Sequence, residues 1–190
     1  MQTRQLTLLS MLTALSIGIQ LTPRPPNVEF TSFISFTAGV ILGSGAGGFV
    51  GALTMLINGF LSPWGQAGMN MPFQVVGMAL AGFLGGVYKM LSPSRLGSKG
   101  FCLETAIMGA LVALIYDLIT NVGFGLQLVF SGVDPALALL LPIAYGSFFS
   151  LIHIASNVVV FGALHLPFAD ALNHLNVEGL SWLKRERLHS

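Results

Sequence analysis

The residues most able to do chemistry are polar or charged side chains inside otherwise apolar segments. Asp117 and Asn121 are four positions apart, as are His153 and Asn157, so each pair shares a helix face. An ionisable group in such a segment is costly and by default marks a functional position. Asp117 therefore predicts a protonated carboxyl, an ion pair with Arg24 as the candidate partner, or a wet cavity. We interpret His153 as a hydrogen-bonded packing residue rather than a ligand.

Two loops carry further polar groups that could bind a small molecule. Loop 22–31 reads TPRPPNVEFT, and loop 62–71 reads SPWGQAGMNM, which is uncharged but rich in amide and aromatic groups. Amide, aromatic and charged groups converging on one side predict a pocket that recognises its ligand by hydrogen bonds and stacking. The asparagines could equally bond neighbouring helices, and Trp64 could be an interfacial belt residue. The predicted binding residues are Arg24, Asn27, Glu29, Asn58, Trp64, Gln66, Asn70, Gln74, Asp117, Asn121 and Tyr145.

Composition places these groups in a membrane protein. Of 190 residues, 54% are hydrophobic and 8% are charged, whereas soluble domains carry about 25% charged residues. Mean hydropathy is +0.80. A net charge of +1 argues against a polybasic nucleic-acid binder, and the single cysteine, Cys102, excludes an internal disulfide or a cysteine-based metal site.

The apolar segments predict six membrane-spanning helices in an all-α bundle. Segment 30–61, read as one helix, would be about 48 Å long, so we divide it at the glycine-rich run 43–48. The first segment could be a signal peptide, but no A-x-A cleavage site follows it and five more apolar segments do. The predicted spans are 6–21, 32–42, 46–61, 72–91, 103–130 and 136–164, with Pro142 as a possible kink in the last. They form one domain, 1–165, followed by a cytoplasmic tail, 166–190, in which residues 168–176 predict a short amphipathic helix.

The distribution of positive charge predicts the orientation. Six spans place seven of the eight Lys and Arg residues on the side of both termini and leave only Arg24 opposite. Five spans would place the basic cluster 184–187 outside. The positive-inside rule therefore predicts a multi-pass protein of the plasma membrane with both termini in the cytoplasm.

Small residues recur at four-residue spacing in three segments and predict close helix contacts. Two of these series predict packing inside the bundle: Gly39, Gly43, Gly47 and Gly51, and Gly77, Ala81 and Gly85. The third series, Ser10, Ala14 and Gly18, lies on the first helix, which we expect at the edge of the bundle. There it could form the interface with a partner protein.

Several catalytic motifs are missing. The sequence has no Walker A loop and no H-E-x-x-H, and the nearest serine setting, Gly43-Ser44-Gly45, falls in a turn away from His153. No pair of half-sequences repeats visibly, which disfavours an ordinary secondary transporter. We therefore expect a non-catalytic protein that needs no cofactor.

The passage PNVEFTSFISFTAGVILGSGAGGFVGALTMLINGFLSPWG, at 26–65, and FQVVGMALAGFLGGVY, at 73–88, carry a family resemblance. Over about residues 5–165 the chain resembles the substrate-binding S components of energy-coupling factor (ECF) vitamin transporters. The resemblance implies a six-helix bundle that captures a vitamin near the outer surface. It also implies docking on a transmembrane scaffold subunit driven by two cytoplasmic ATPases, and toppling in the membrane to release the vitamin. The family docks through an A-x-x-x-A stripe, and the matching positions here are Ser10, Ala14 and Gly18.

The resemblance also bears on the substrate. Cobalt and nickel members carry a histidine after the first methionine, where this chain has Gln2, so a metal ion is disfavoured. The NVEFTS loop resembles members that handle cobalamin or other corrinoids, and a thiamine precursor or pantothenate remains open. Two alternatives compete with vitamin capture: a self-sufficient small-solute permease or channel using Asp117, and an intramembrane enzyme acting through His153.

Overall fold

A computed structural model describes residues 3–91 and 99–174, with side chains described for 3–91 and 102–168. The predicted all-α fold is confirmed, since every predicted apolar segment forms a helix. A 3-10 turn, Gly68–Asn70, precedes the fourth helix. The helices are α1 (Thr3–Leu21), α2 (Thr31–Leu42), α3 (Ser44–Leu61), α4 (Met71–Leu91), α5 (Lys99–Phe130) and α6 (Pro135–His174).

The last helix differs most from its predicted bounds. It contains Pro142 and Pro167 and continues to His174, past the predicted end at 164. Phe168 belongs to the core rather than to a separate surface helix, because its ring lies 5.7 Å from that of Phe33, centroid to centroid. Gln2 and the rest of the predicted tail, 175–190, lie outside the described residues.

The outer surface is that of a membrane-embedded protein. Four helical stretches are long and apolar enough to cross a membrane: Ser44–Leu61, Gly68–Leu91, Cys102–Phe130 and Pro135–Phe168. Leu118, Phe148 and Val159 are exposed, as are many other large apolar side chains on the outer faces. Exposing such large apolar faces to water is unfavourable. The helices α5 and α6 are about 48 Å and 60 Å long, more than the hydrocarbon core requires.

The short helix α2 occupies the centre of the bundle. Every residue from 31 to 41 is buried, and α2 contacts each of the other five helices, most extensively α4 and α3. A predominantly apolar helix with no exposed face is stable only where other helices surround it. Aromatic rings fill the space around it: Phe36 lies 5.3 Å from Phe161 and 5.5 Å from Tyr88, centroid to centroid.

A single residue, Gly43, connects α2 to α3. Its φ of 98° lies in the left-handed region that glycine adopts without a steric penalty. Its N–H donates to the carbonyl of Gly39 at 2.9 Å and closes the end of α2. The turn predicted within 43–48 is therefore confirmed, and α3 begins at once with Ser44.

Glycine contacts hold α2, α3 and α4 together, as the small-residue spacing predicted. A Cβ atom on Gly39 or Gly47 would overlap the carbonyl oxygen of Gly82, and one on Gly85 would overlap that of Phe36. Backbones this close gain van der Waals contact along their whole length, which is the main attraction between helices in lipid. These positions exclude any side chain.

Replacing Gly82 by alanine should destabilise the bundle. The new Cβ would overlap the carbonyl oxygen of Gly47, and overpacking of this kind costs about 1–3 kcal/mol. We expect the melting temperature of the purified protein in detergent to fall by several degrees. The matched control is Gly45→Ala, where the added Cβ meets nothing within 4 Å. Equal melting temperatures for the two variants would contradict the close-packing assignment.

Candidate functional site

A cavity of about 610 Å³ opens at the end of the bundle where loops 22–30 and 62–70 meet. It exists because α2, with 12 residues, rises about 18 Å, whereas α3, with 18 residues, rises about 27 Å. The first turn of α2 consequently lies deeper in the bundle than the end of α3. The two loops and the facing halves of α5 and α6 enclose the space that this difference leaves. Its lining comprises Gln20, Arg24, Pro25, Pro26, Asn27, Glu29, Met55, Asn58, Ser62, Trp64, Gly65, Gln66, Ala67, Asn70, Gln74, Tyr116, Asp117, Thr120, Asn121, Gly146, Phe149, Ser150 and His153.

The structure brings together all of the predicted binding residues except Tyr145. The side chain of Tyr145 is 76% exposed and does not line the cavity. Tyr145 lies on the outer surface of α6, beside the face that Gly146, Phe149 and His153 turn toward the cavity. The cavity therefore brings together ten of the eleven predicted residues and leaves out Tyr145.

His153 lies at the floor of the cavity between two carboxylates. Its Nδ1 is 2.8 Å from Asp117 Oδ1, and its Nε2 is 3.1 Å from Glu29 Oε1. All three side chains are buried, with exposed fractions of 3% for His153, 8% for Asp117 and 6% for Glu29. The Ser32 hydroxyl also donates to Glu29 Oε1. We call Glu29, His153 and Asp117 the floor cluster.

Each of the two His153 contacts in the floor cluster needs one proton between nitrogen and oxygen. An imidazolium between two carboxylates meets this need, and so does a neutral imidazole beside one carboxylate and one protonated carboxyl.

Arg24 does not pair with Asp117 as the sequence suggested. Its Nε donates to the carbonyl of Val28 at 2.8 Å, and its Nη1 donates to that of Gln20 at 2.6 Å. Its Nη2 donates to Gln20 Oε1 at 2.7 Å, and the Thr31 hydroxyl donates to the same oxygen. A guanidinium at a helix C-terminus satisfies carbonyls that have no partner within the helix. Arg24 therefore ties the end of α1 to the cavity loop and to the start of α2.

Asn27 fixes the other side of the same loop. It adopts a left-handed conformation with φ of 60°, which asparagine tolerates better than most residues. Its Nδ2 donates to the carbonyl of Phe149 on α6 at 2.9 Å. Loop 22–30 is thus held to α1 by Arg24 and to α6 by Asn27.

The second loop supplies the amide wall of the cavity and its aromatic edge. Trp64 is 64% exposed, and its backbone N–H is bonded to Ser62 Oγ at 3.2 Å. Deeper in the wall, Asn70 Oδ1 and Gln74 Oε1 are buried and have no hydrogen-bond partner among the described residues. This wall thus presents an aromatic ring in loop 62–70 and amide oxygens deeper in the bundle.

Sequence reasoning missed His153 as a site residue because it interpreted this side chain as a hydrogen-bonded packing residue. In the structure His153 lines the cavity and contacts Asp117 directly. The available signal was the spacing of Gly146, Phe149, Ser150 and His153, which fall on one face of α6. Other lining residues outside the prediction include Gln20, Tyr116 and Thr120.

The third small-residue series lies elsewhere. Ser10, Ala14 and Gly18 are all exposed on α1, and a Cβ atom on Gly18 would meet nothing within 4 Å. In contrast to the glycines of α2–α4, these residues make no close contact within the bundle. They form an open face on α1. The main packing contacts of α1 are with α2 and α3.

Comparison with known proteins adds no assignment, since no protein-family model, curated protein or solved structure matches the chain. Within the described residues, no three His, Cys, Asp or Glu side chains are placed to hold a metal ion. The site is therefore interpreted from its own geometry.

Removing the histidine of the floor cluster should be strongly destabilising. His153→Leu leaves two buried carboxyl groups without their shared partner, and breaking a buried ionic network typically costs about 3–5 kcal/mol. We expect a clear drop in melting temperature in detergent. Adding Glu29→Gln and Asp117→Asn to His153→Leu should recover part of the loss, because both uncompensated charges are then gone. A triple variant no more stable than His153→Leu alone would contradict the ionic interpretation.

Proposed function

We propose that this chain is the membrane-embedded capture subunit of an ECF-type vitamin importer. The observation that carries the proposal is the polar cavity at one end of an apolar helix bundle, enclosed by two loops and large enough for a small metabolite. Its amide, aromatic and ionic lining suits a ligand held by several directed hydrogen bonds. The family resemblance supports the same function.

The proposed topology has six membrane crossings, with both termini in the cytoplasm and the cavity opening outward. Four helices are long and apolar enough to cross by themselves, and α1 and α2 would complete the bundle. Loops 22–30 and 62–70 both border the cavity. They belong to the side that carries only Arg24 among the eight Lys and Arg residues.

Energy for uptake would come from other subunits. The sequence has no ATP-binding loop, so we propose docking on a transmembrane scaffold with two cytoplasmic ATPases. The open face of Ser10, Ala14 and Gly18 is the proposed docking surface, because small residues permit a close helix–helix approach. The glycines of the other two series, apart from Gly43 in its turn, already make close contacts inside the bundle.

The cavity volume bears on the choice of substrate. At about 30 Å³ for each water molecule, 610 Å³ corresponds to about 20 waters, which suits a ligand of about 20 to 30 non-hydrogen atoms. A thiamine precursor or pantothenate is smaller than this upper size and fits inside the cavity. A corrinoid, which the NVEFTS loop favours, is much larger and could place only part of its structure in the cavity.

A self-sufficient permease is the second candidate, and the floor cluster is the observation that favours it. Three ionisable side chains in hydrogen-bond contact inside a membrane protein are a common device for proton coupling. Such a protein would transport its solute without any partner. The capture subunit would bind tightly and transport nothing alone.

Ligand capture can be tested by native mass spectrometry of the protein purified in mild detergent from cells grown in rich medium. We expect one small molecule bound per chain, whose mass identifies its class; a corrinoid would also give a visible absorbance spectrum. Liposomes containing this protein alone should show no uptake of that molecule. Uptake by the isolated protein would favour the permease instead.

The docking surface can be tested separately from capture. Ala14→Leu places a bulky side chain on the open face of α1 and should abolish uptake in cells while leaving the affinity of the purified protein for its ligand unchanged. The matched control is Ala163→Leu, at an exposed position of α6. Normal uptake in the Ala14→Leu variant would rule out this face as the docking surface.

A further inference from the structure

In the described part of the chain, the buried side-chain atoms of the cavity that lack a hydrogen-bond partner are all oxygens. Four buried side-chain oxygens of lining residues have no partner among the described residues: Glu29 Oε2, Asp117 Oδ2, Asn70 Oδ1 and Gln74 Oε1. All four are acceptors. A buried polar atom without a partner is destabilising, and natural proteins retain few of them without a functional reason.

The two carboxylates are the strongest of these acceptors. Each uses one oxygen for His153 and leaves the other unused. Both unused oxygens belong to residues that line the cavity beside His153. They are therefore the acceptors nearest to a ligand that reaches the floor cluster.

No other basic side chain in the described part of the protein takes this place. Among the described residues, His153 is the only cationic partner within 4 Å of either carboxylate. Arg24 borders the cavity, but its guanidinium donates to carbonyl oxygens and to Gln20 instead. Apart from His153, neither carboxyl group therefore has a hydrogen-bonded cation among the described residues.

We infer that the cavity recognises the nitrogen end of its ligand, a cationic or N–H-rich group such as an ammonium, an amidinium or an aminopyrimidine, which binds to Glu29 and Asp117 at the floor. The amide oxygens of Asn70 and Gln74 accept further N–H or O–H groups from the same ligand. This inference rests on the proposed function and narrows its substrate class. Among the substrates considered above, it selects the aminopyrimidine of a thiamine precursor over the carboxylate of pantothenate.

The assignment follows from charge and geometry. A ligand carboxylate at the floor would face these four acceptor oxygens, two of them on the acidic side chains, which is the repulsive arrangement that enforces specificity. An N–H group meets acceptors on both sides. Hydrogen bonds between charged partners are also stronger than neutral ones.

The test measures binding by isothermal titration calorimetry with the full chain in mild detergent at neutral pH. The nitrogen probes are thiamine and its hydroxymethyl aminopyrimidine precursor, and the other probes are pantothenate and cyanocobalamin. We expect a nitrogen probe to bind and pantothenate not to bind. Glu29→Gln and Asp117→Asn, tested separately, should each weaken that binding by about tenfold to a hundredfold, the range for a hydrogen bond to a charged group.

Two controls keep the result interpretable. Glu104→Gln and Asp134→Asn make the same chemical changes at exposed positions outside the cavity and should leave affinity unchanged. Asp134 caps the start of α6 by accepting the N–H of Ala136 at 3.0 Å, a role that asparagine also fills. Melting temperatures identify a variant that has failed to fold, and because either carboxylate variant tests the inference, one folded variant suffices.

The outcomes separate the inference from the function on which it rests. Binding of pantothenate or cyanocobalamin, unaffected by either substitution, would overturn the inference and leave vitamin capture standing. Binding of none of the four probes would overturn both. A nitrogen probe that depends on Glu29 and Asp117 but is taken up by liposomes containing this chain alone would support the inference and overturn the capture-subunit proposal.

Discussion

The architecture depends on one short helix that has no free side. Because α2 is buried over its whole length, the other helices must surround it, and the glycine contacts allow α3 and α4 to come close enough to do so. The helix α2 begins inside the bundle rather than at its surface. Loop 22–30 therefore enters the interior and places Glu29 there. A longer α2 would fill the cavity with helix.

The floor cluster joins parts of the chain that are otherwise distant. Glu29 comes from the loop before α2, Asp117 from the middle of α5 and His153 from the middle of α6. A shared histidine satisfies one oxygen of each carboxylate and positions both side chains. The remaining oxygens stay unsatisfied, so the same contacts that stabilise the cluster also keep acceptors available beside the cavity.

The sequence predicted the elements well because their signals are local. Apolar length defined the helices, and a glycine run located the turn at Gly43. Polar loops identified most of the cavity wall. The relative depth of His153 and Asp117 depends on how far α5 and α6 extend beyond the other helices, which no local pattern encodes. Charge alone made Arg24 a candidate partner for Asp117, whereas nearby carbonyls at the end of α1 accept hydrogen bonds from its guanidinium.

The separation of Glu29 and His153 along the chain constrains how the protein is made. The two residues are 124 positions apart, and Asp117 precedes His153 by 36. A ribosome that synthesises the chain from its N-terminus therefore delivers both acids before the base that joins them. Until α6 is in place, each acid must remain hydrated or protonated, because an unpaired charge in hydrocarbon is costly. A chain truncated before α6 would thus carry both acids without the histidine that they share.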